Sequence, residues 1–171
     1  MAPQESIDIL QCLKDSRAEF LAAAEGVSES QAKASPAPGR WSVVECVEHV
    51  VIVESMFLRS LRNPIAEPAP PMDKEKESKI LSRAAARATA LLAPEPVRPT
   101  GRFATLTEAL AKFNAARAKS IQFVETEGAG LYSLAAKHPF LGVCNGAEAM
   151  ALIAAHSRRH AAQIREIRST L

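Results

Sequence analysis

Apolar positions recur three and four residues apart along most of this 171-residue chain, the spacing of one face of an α-helix. Over residues 4–25, Ile9, Leu10, Leu13, Phe20, Leu21 and Ala24 return at that interval and predict a first helix. The prolines and glycine of "SPAPGR", 35–40, then break the pattern. Ser42 and Glu45 stand at capping-box spacing, and Trp41 is placed to pack on Cys46 as a hydrophobic staple. The second helix they open runs to about Leu61 and stops before Pro64. Wound at roughly 100° per residue, its polar residues Glu48, Ser55, Arg59 and Arg62 form one narrow stripe. Most other positions on this helix are apolar, so it is expected to be buried on three sides.

A proline-rich connection, "NPIAEPAPPMD" (63–73), leads into a charged, alanine-rich segment over 74–93. That segment reads as a weakly amphipathic helix lying across the outside, and "PEPVRPTG" (94–101) reads as extended chain. A third core helix begins at Thr105, with Glu108 in the capping-box position, and runs to about Glu125. Leu106, Leu110, Phe113, Ile121 and Val124 make its inner face. After a glycine-bearing loop with "KHPFLG", a fourth helix starts at Asn145, has Glu148 in the box position, and continues to about Arg168. The predicted fold is all-α: a four-helix bundle with a long crossover between helices 2 and 3, in one domain spanning 1–171.

Composition narrows the function classes. The 21 basic residues are interspersed with 19 acidic ones, for a net charge of +2, and no basic arm stands out to favour nucleic acid. Cys12, Cys46 and Cys144 are an odd number without C-x-x-C spacing, which fits a reducing compartment better than a disulfide framework. The start "MAPQESIDILQ" carries Glu5 and Asp8 and does not read as a signal peptide. No apolar run reaches the roughly 18 residues that would span a bilayer. The expectation is a cytoplasmic protein without nucleic-acid or membrane partners.

The candidate chemistry lies in "AAHSRRHAAQI", 154–164. His156 and His160 stand one helical turn apart. Ala149, Leu152, Ile153, Gln163, Ile164 and Ile167 all fall within about 80° of His156, so both histidines sit in the core-facing stripe. Two neighbouring imidazoles are costly to bury unless their nitrogens find partners. Gln163 or Glu54 could satisfy them, and an H-x-x-x-H pair on a helix can also chelate one metal ion. His49, on the flank of the buried arc of the second helix, is placed to supply a third imidazole. The set His49, His156 and His160 would occupy one side of a divalent ion and leave positions open for water or substrate. Glu54 also falls inside the apolar arc, but roughly 140° around from His49, which favours a supporting or structural role. His138, in the loop, reads as an exposed or loop-packing residue.

"RWSVVECVEHVVIVE" resembles the W-S-x-x-E-x-x-x-H opening of the second helix in the DinB-like superfamily. "HPFLGVCNGAEAMALIAAHSRRHAAQI" is similar to its closing pattern, H-P-x-x-G followed by a helix bearing H-x-x-R-H-x-x-Q-I. The resemblance covers essentially the whole chain. It implies a four-helix bundle whose metal, zinc, nickel or iron, is held by three histidines that map here onto His49, His156 and His160. Members of known activity include thiol-dependent transferases and an isomerase that use bacillithiol, mycothiol or glutathione, and many others have no known reaction. Relatives commonly pair, so the resemblance implies a homodimer, and its DNA-damage name does not imply DNA binding. One departure is the helix start "GAEAMALIAA", where relatives often carry aromatic residues; smaller side chains here would widen a pocket beside the metal.

Two readings follow. In the first, the protein is a metal-dependent enzyme of the low-molecular-weight-thiol transferase type acting on a small molecule, its metal activating a thiol or water. Its open positions would face an apolar pocket lined by Val53, Met56, Leu152 and Ile153, with Arg159 available to an anionic thiol. Catalytic residues beyond the metal ligands are not specified. In the second, the site of a non-catalytic bundle is structural or vestigial and the protein is a metal or small-molecule binder or a dimer module, with the site closed by a fourth ligand such as Glu54 or Cys46, or with no metal at all.

Overall fold

A computed structural model of the protein describes residues 7–86 and 92–171. Four long helices carry the fold: α1 (Ile9–Ala24), α3 (Val43–Arg62), α5 (Leu106–Glu127) and α6 (Gly146–Arg168). A short helix, α2 (Glu29–Lys33), follows α1, and α4 (Lys74–Ala85) lies within the crossover. The predicted first helix began earlier, but residues 4–6 lie outside the described residues, as do residues 87–91 of the predicted 74–93 helix. Three features depart from the expectation, the first being the short helix α2, which the pattern does not predict. The loop before α6 is an antiparallel hairpin, β1 (Ala135–His138) with β2 (Gly142–Asn145), and the extended stretch after α4 contains a single 3-10 turn, Glu95–Val97.

The helix starts are set where the capping residues stand. Ser42 accepts from the Glu45 N–H while the Glu45 carboxylate accepts from the Ser42 N–H, and Asn145 and Glu148 make the same reciprocal pair at α6. Thr105 caps α5 through the Glu108 N–H. Its first free amides, Leu106 and Thr107, are instead taken by Glu29 of α2, whose carboxyl those bonds hold below its ordinary titration range. Helix α2 thus seats the start of α5. Gly146 opens α6 against the Leu131 carbonyl, where a Cβ would come within 2.5 Å of that oxygen.

The apolar core forms in two halves. One joins the start of α1, the ends of α3 and α5 and the first half of α6, as in Leu13, Leu61, Phe123 and Met150. The other joins the end of α1, the starts of α3 and α5 and the second half of α6, as in Phe20, Val47, Phe113 and Ile164. The helices therefore run up, down, down, up, and the crossover exists because α3 and α5 are parallel. Helix α4 makes the return alongside α6, with Lys76 at Glu148 and the Ala86 carbonyl at Arg159.

Between the two halves lies a buried polar layer. Arg117 of α5 meets Glu54 of α3 in a two-point ion pair, Nε to Oε1 at 2.8 Å and Nη2 to Oε2 at 3.1 Å. Its remaining N–H groups reach the Leu13 carbonyl and Ser16 on α1 at 2.8 and 2.7 Å, and Ser157 on α6 at 3.0 Å. All four long helices meet at this one guanidinium. Among the described residues, no helix is long and apolar enough to cross a membrane.

Candidate metal centre

The three histidines singled out by helical winding come together beside the polar layer. Their Nε2 atoms converge: His156 stands 3.0 Å from His49 and 3.1 Å from His160. His49 and His160 are 5% and 6% exposed, and His156 is half-buried. Trp41 lies 4.9 Å from the His49 ring and stacks at 6.2 Å on His160, covering one side. It also packs on the cluster that contains Cys46, so the expected staple carries a second contact at the site.

The outer nitrogens fix the protons. His49 Nδ1 is 2.7 Å from the Val97 carbonyl oxygen, which can only accept, so Nδ1 carries the hydrogen and Nε2 a lone pair. His160 Nδ1 makes the same kind of bond to the Gln163 amide oxygen at 2.8 Å, leaving its Nε2 a lone pair too. Both lone pairs point at His156 Nε2. If that nitrogen carries a hydrogen it can serve only one neighbour, and the other contact sets lone pair against lone pair. A cation at the convergence resolves the conflict, and tetrahedral imidazole nitrogens at about 2.0–2.1 Å from one ion stand about 3.3 Å apart, close to the spacing here. The donor set therefore fits a divalent ion.

Electrostatics favours the ligating form. Burial pushes the His49 pKa down, against a smaller opposing effect of the Val97 hydrogen bond. His156 is held well below the ordinary histidine range, first by burial and then by His160 and His49 beside it. Neutral imidazole is the species that binds metal.

The supporting residues come from the crossover. Glu48, next to His49, belongs to the stripe expected to face water, yet it is fully buried. Its carboxylate accepts from the N–H groups of Thr100, Gly101 and Arg102 at 2.7, 3.1 and 3.1 Å. One turn of α3 thus grips the same strand twice: Glu48 holds residues 100–102 and His49 holds Val97. Winding one helix could not show this, because the covering strand lies about 50 residues away in sequence. Arg117 was missed as well, although it interrupts the apolar face of α5 just as Glu54 interrupts that of α3.

Neither Glu54 nor Cys46 joins the imidazoles within ligand range among the described residues, so the closed site that a non-catalytic bundle would have is not formed with them. Glu54 serves Arg117 instead, and Cys46 is buried in the core. Val53, Leu152 and Ile153, expected to line a pocket, are core residues, while Met56 is exposed. Arg159 donates to the Ala86 carbonyl at the end of α4. His138 is a packing residue of the hairpin: its Nδ1 accepts from the N–H groups of Phe140 and Leu141 at 3.1 Å, and its ring stacks on Phe57.

The sequence model of the DinB superfamily matches residues 13–164. No curated protein matches the chain. Among solved structures, YfiT from Bacillus subtilis, described as a probable metal-dependent hydrolase with an unusual four-helix bundle topology, superposes with a TM-score of 0.64 at 20% identity, over 99% of this chain and 92% of YfiT. TT2238, a four-helix bundle protein, superposes with a TM-score of 0.60 at 21% identity, over 93% of this chain and 97% of its own. At those identities the likeness is one of fold.

Proposed function

The chain belongs to the DinB superfamily, and from that premise we propose that it is a metal-dependent enzyme whose divalent ion is held by His49, His156 and His160. The observation that carries the proposal is the convergence of three Nε2 atoms with at most one hydrogen among them. Imidazole donors suit zinc, nickel or iron. Bound there, such an ion would act as a Lewis acid that lowers the pKa of a coordinated thiol or water and yields a nucleophile at neutral pH. The name given to YfiT supports water in that role, and the thiol-dependent members of the superfamily support a low-molecular-weight thiol.

The protein's own residues do the positioning. Val97 and Gln163 fix which nitrogen of His49 and of His160 is free, and hold both rings in one orientation. Trp41 shields one side of the imidazoles from water, which strengthens every interaction they make. Because His49, His156 and His160 are the only His, Cys, Asp or Glu residues in the cluster among the described residues, coordination positions remain for a small-molecule substrate.

Metal analysis tests this directly. Protein purified without chelator is expected to carry near-stoichiometric divalent metal, and His156→Ala to lose it while keeping its helical circular dichroism. A metal-free wild type, or a variant that retains the ion, sinks the proposal. The loaded protein is then offered ester substrates, with and without a low-molecular-weight thiol, to separate hydrolysis from thiol transfer.

A further inference from the structure

A second cluster of buried ionisable groups lies where the start of α4 docks on the start of α6. Glu77 of α4 is 0% exposed, and neither of its carboxylate oxygens has a hydrogen-bond partner of good geometry, although the Tyr132 hydroxyl lies close enough to act on it. Glu148 of α6 is equally buried, and its charge acts on Glu77. Glu148 Oε2 accepts from the Asn145 N–H at 3.1 Å and from Lys76 Nζ at 3.0 Å. Its Oε1, 2.9 Å from the same ammonium, makes no hydrogen bond of good geometry. Among the described residues, these three are the buried side-chain oxygens left without a hydrogen bond of good geometry.

The charges around the pair decide which carboxyl ionises. Lys76 and the Asn145 N–H compensate the charge on Glu148. The groups that act on Glu77 are Glu148 of α6, Tyr132 of the turn after α5, and Asp73 and Lys74 at the start of its own helix. Burial and the neighbouring Glu148 charge, and more weakly Asp73, disfavour its ionisation; Tyr132 and Lys74 oppose them. A second buried carboxylate under the field of Glu148 is costly, and a neutral carboxyl at Glu77 avoids that cost.

We propose that Glu77 docks α4 in its neutral form, and that its ionisation releases the start of α4 from α6: a proton latch on the crossover. The sign follows from linkage. A carboxyl that ionises less readily in the docked state binds more protons there, so docking is strongest in acid and weakens as pH rises above the ordinary carboxylate range. Helix α4 runs on to Arg159, beside His160, so the latch fastens the strap that flanks the histidine site.

The experiment uses the full-length, metal-loaded protein. Carboxyl carbon-13 NMR follows the titration of Glu77, and amide hydrogen exchange, corrected for intrinsic rates, follows residues 74–83 from pH 5 to 9 in wild type and Glu77→Gln. Glu77 is expected to titrate above the ordinary carboxylate range. In wild type, the extra protection of 74–83 should then fall about tenfold per pH unit between the ordinary carboxylate range and that raised midpoint, and level off above it. Glu77→Gln, which keeps the shape of the neutral carboxyl and cannot ionise, should hold its protection throughout. An ordinary Glu77 midpoint, flat wild-type protection, or the same step in both proteins overturns the latch. Loss of metal from protonated histidines would act on both proteins alike and is thereby told apart.

Discussion

Replacing Arg117 with methionine removes the guanidinium at which the four long helices meet and keeps most of its apolar stem. The energetic consequence concentrates on one neighbour. Ser16 and Ser157 still donate to carbonyls of their own helices, at 3.2 Å to Leu13 and 3.0 Å to Ala154. Glu54, whose side chain is 2% exposed, loses both of its Arg117 hydrogen bonds and its counter-charge. Two charge-assisted bonds at about 1.5–3 kcal/mol each bracket the same range as breaking a buried pair, about 3–5 kcal/mol. That is a large share of the stability of a domain this size. Urea unfolding of the metal-free protein at pH 7 reads it, as a fall in midpoint at unchanged slope. The companion Glu54→Met with Arg117→Met removes both charges, and should recover about 2 kcal/mol or more relative to the sum of the single changes. If Arg117→Met costs less than about 1 kcal/mol, or the two changes simply add, the polar layer is not an integrated unit and the reasoning fails.

Four further outcomes follow from the same contacts. Gln163→Leu deprives His160 Nδ1 of its acceptor and should weaken metal binding about 10–100-fold with little change in helicity, read by competition with a chromogenic chelator. Glu48→Ala frees three backbone N–H groups and should lower stability by about 1–3 kcal/mol, with faster amide exchange confined to residues 97–104. Gly146→Ala drives a Cβ onto the Leu131 carbonyl and should cost about 1–3 kcal/mol in urea unfolding, whereas a neutral result would mean the turn shifts freely. Loading the protein with metal at 100 times its dissociation constant should stabilise it by about 2.7 kcal/mol; identical melting with and without chelator would uncouple metal from folding.

Much of the bundle is legible because its determinants are local. Ser42 with Glu45 and Asn145 with Glu148 form the capping boxes their spacing announces, and Pro64 stands just past the end of α3. The hairpin is not legible in the same way. Its strands are four residues each, too short for a period-two pattern to stand out, and its turn is held by the His138 imidazole, not by an Asn-Gly pair. Helix α2 is shorter still, and its place depends on Glu29 reaching amides about 77 residues away.

The site divides along the same line. That His49, His156 and His160 share the interior follows from winding two helices separately, because a residue's angle on its own helix is a local property. What each imidazole donates to is not local. Gln163, three residues from His160, could be read from spacing, whereas Val97 could not, since nothing in "PEPVRPTG" marks a carbonyl that turns toward α3. Glu48 shows why the polar stripe misled. A charged residue flanked by apolar ones looks solvated until another segment brings it backbone donors, and here the crossover brings three. Glu54 and Arg117 carried a usable signal: opposite charges, each alone in an apolar face of a core helix, have strong reason to find one another. Pairing such single charges across apolar stripes sets α3 beside α5 at the level of the histidines. With Ser157 bound to the same guanidinium, that pairing also fixes the register at which α6 meets both helices.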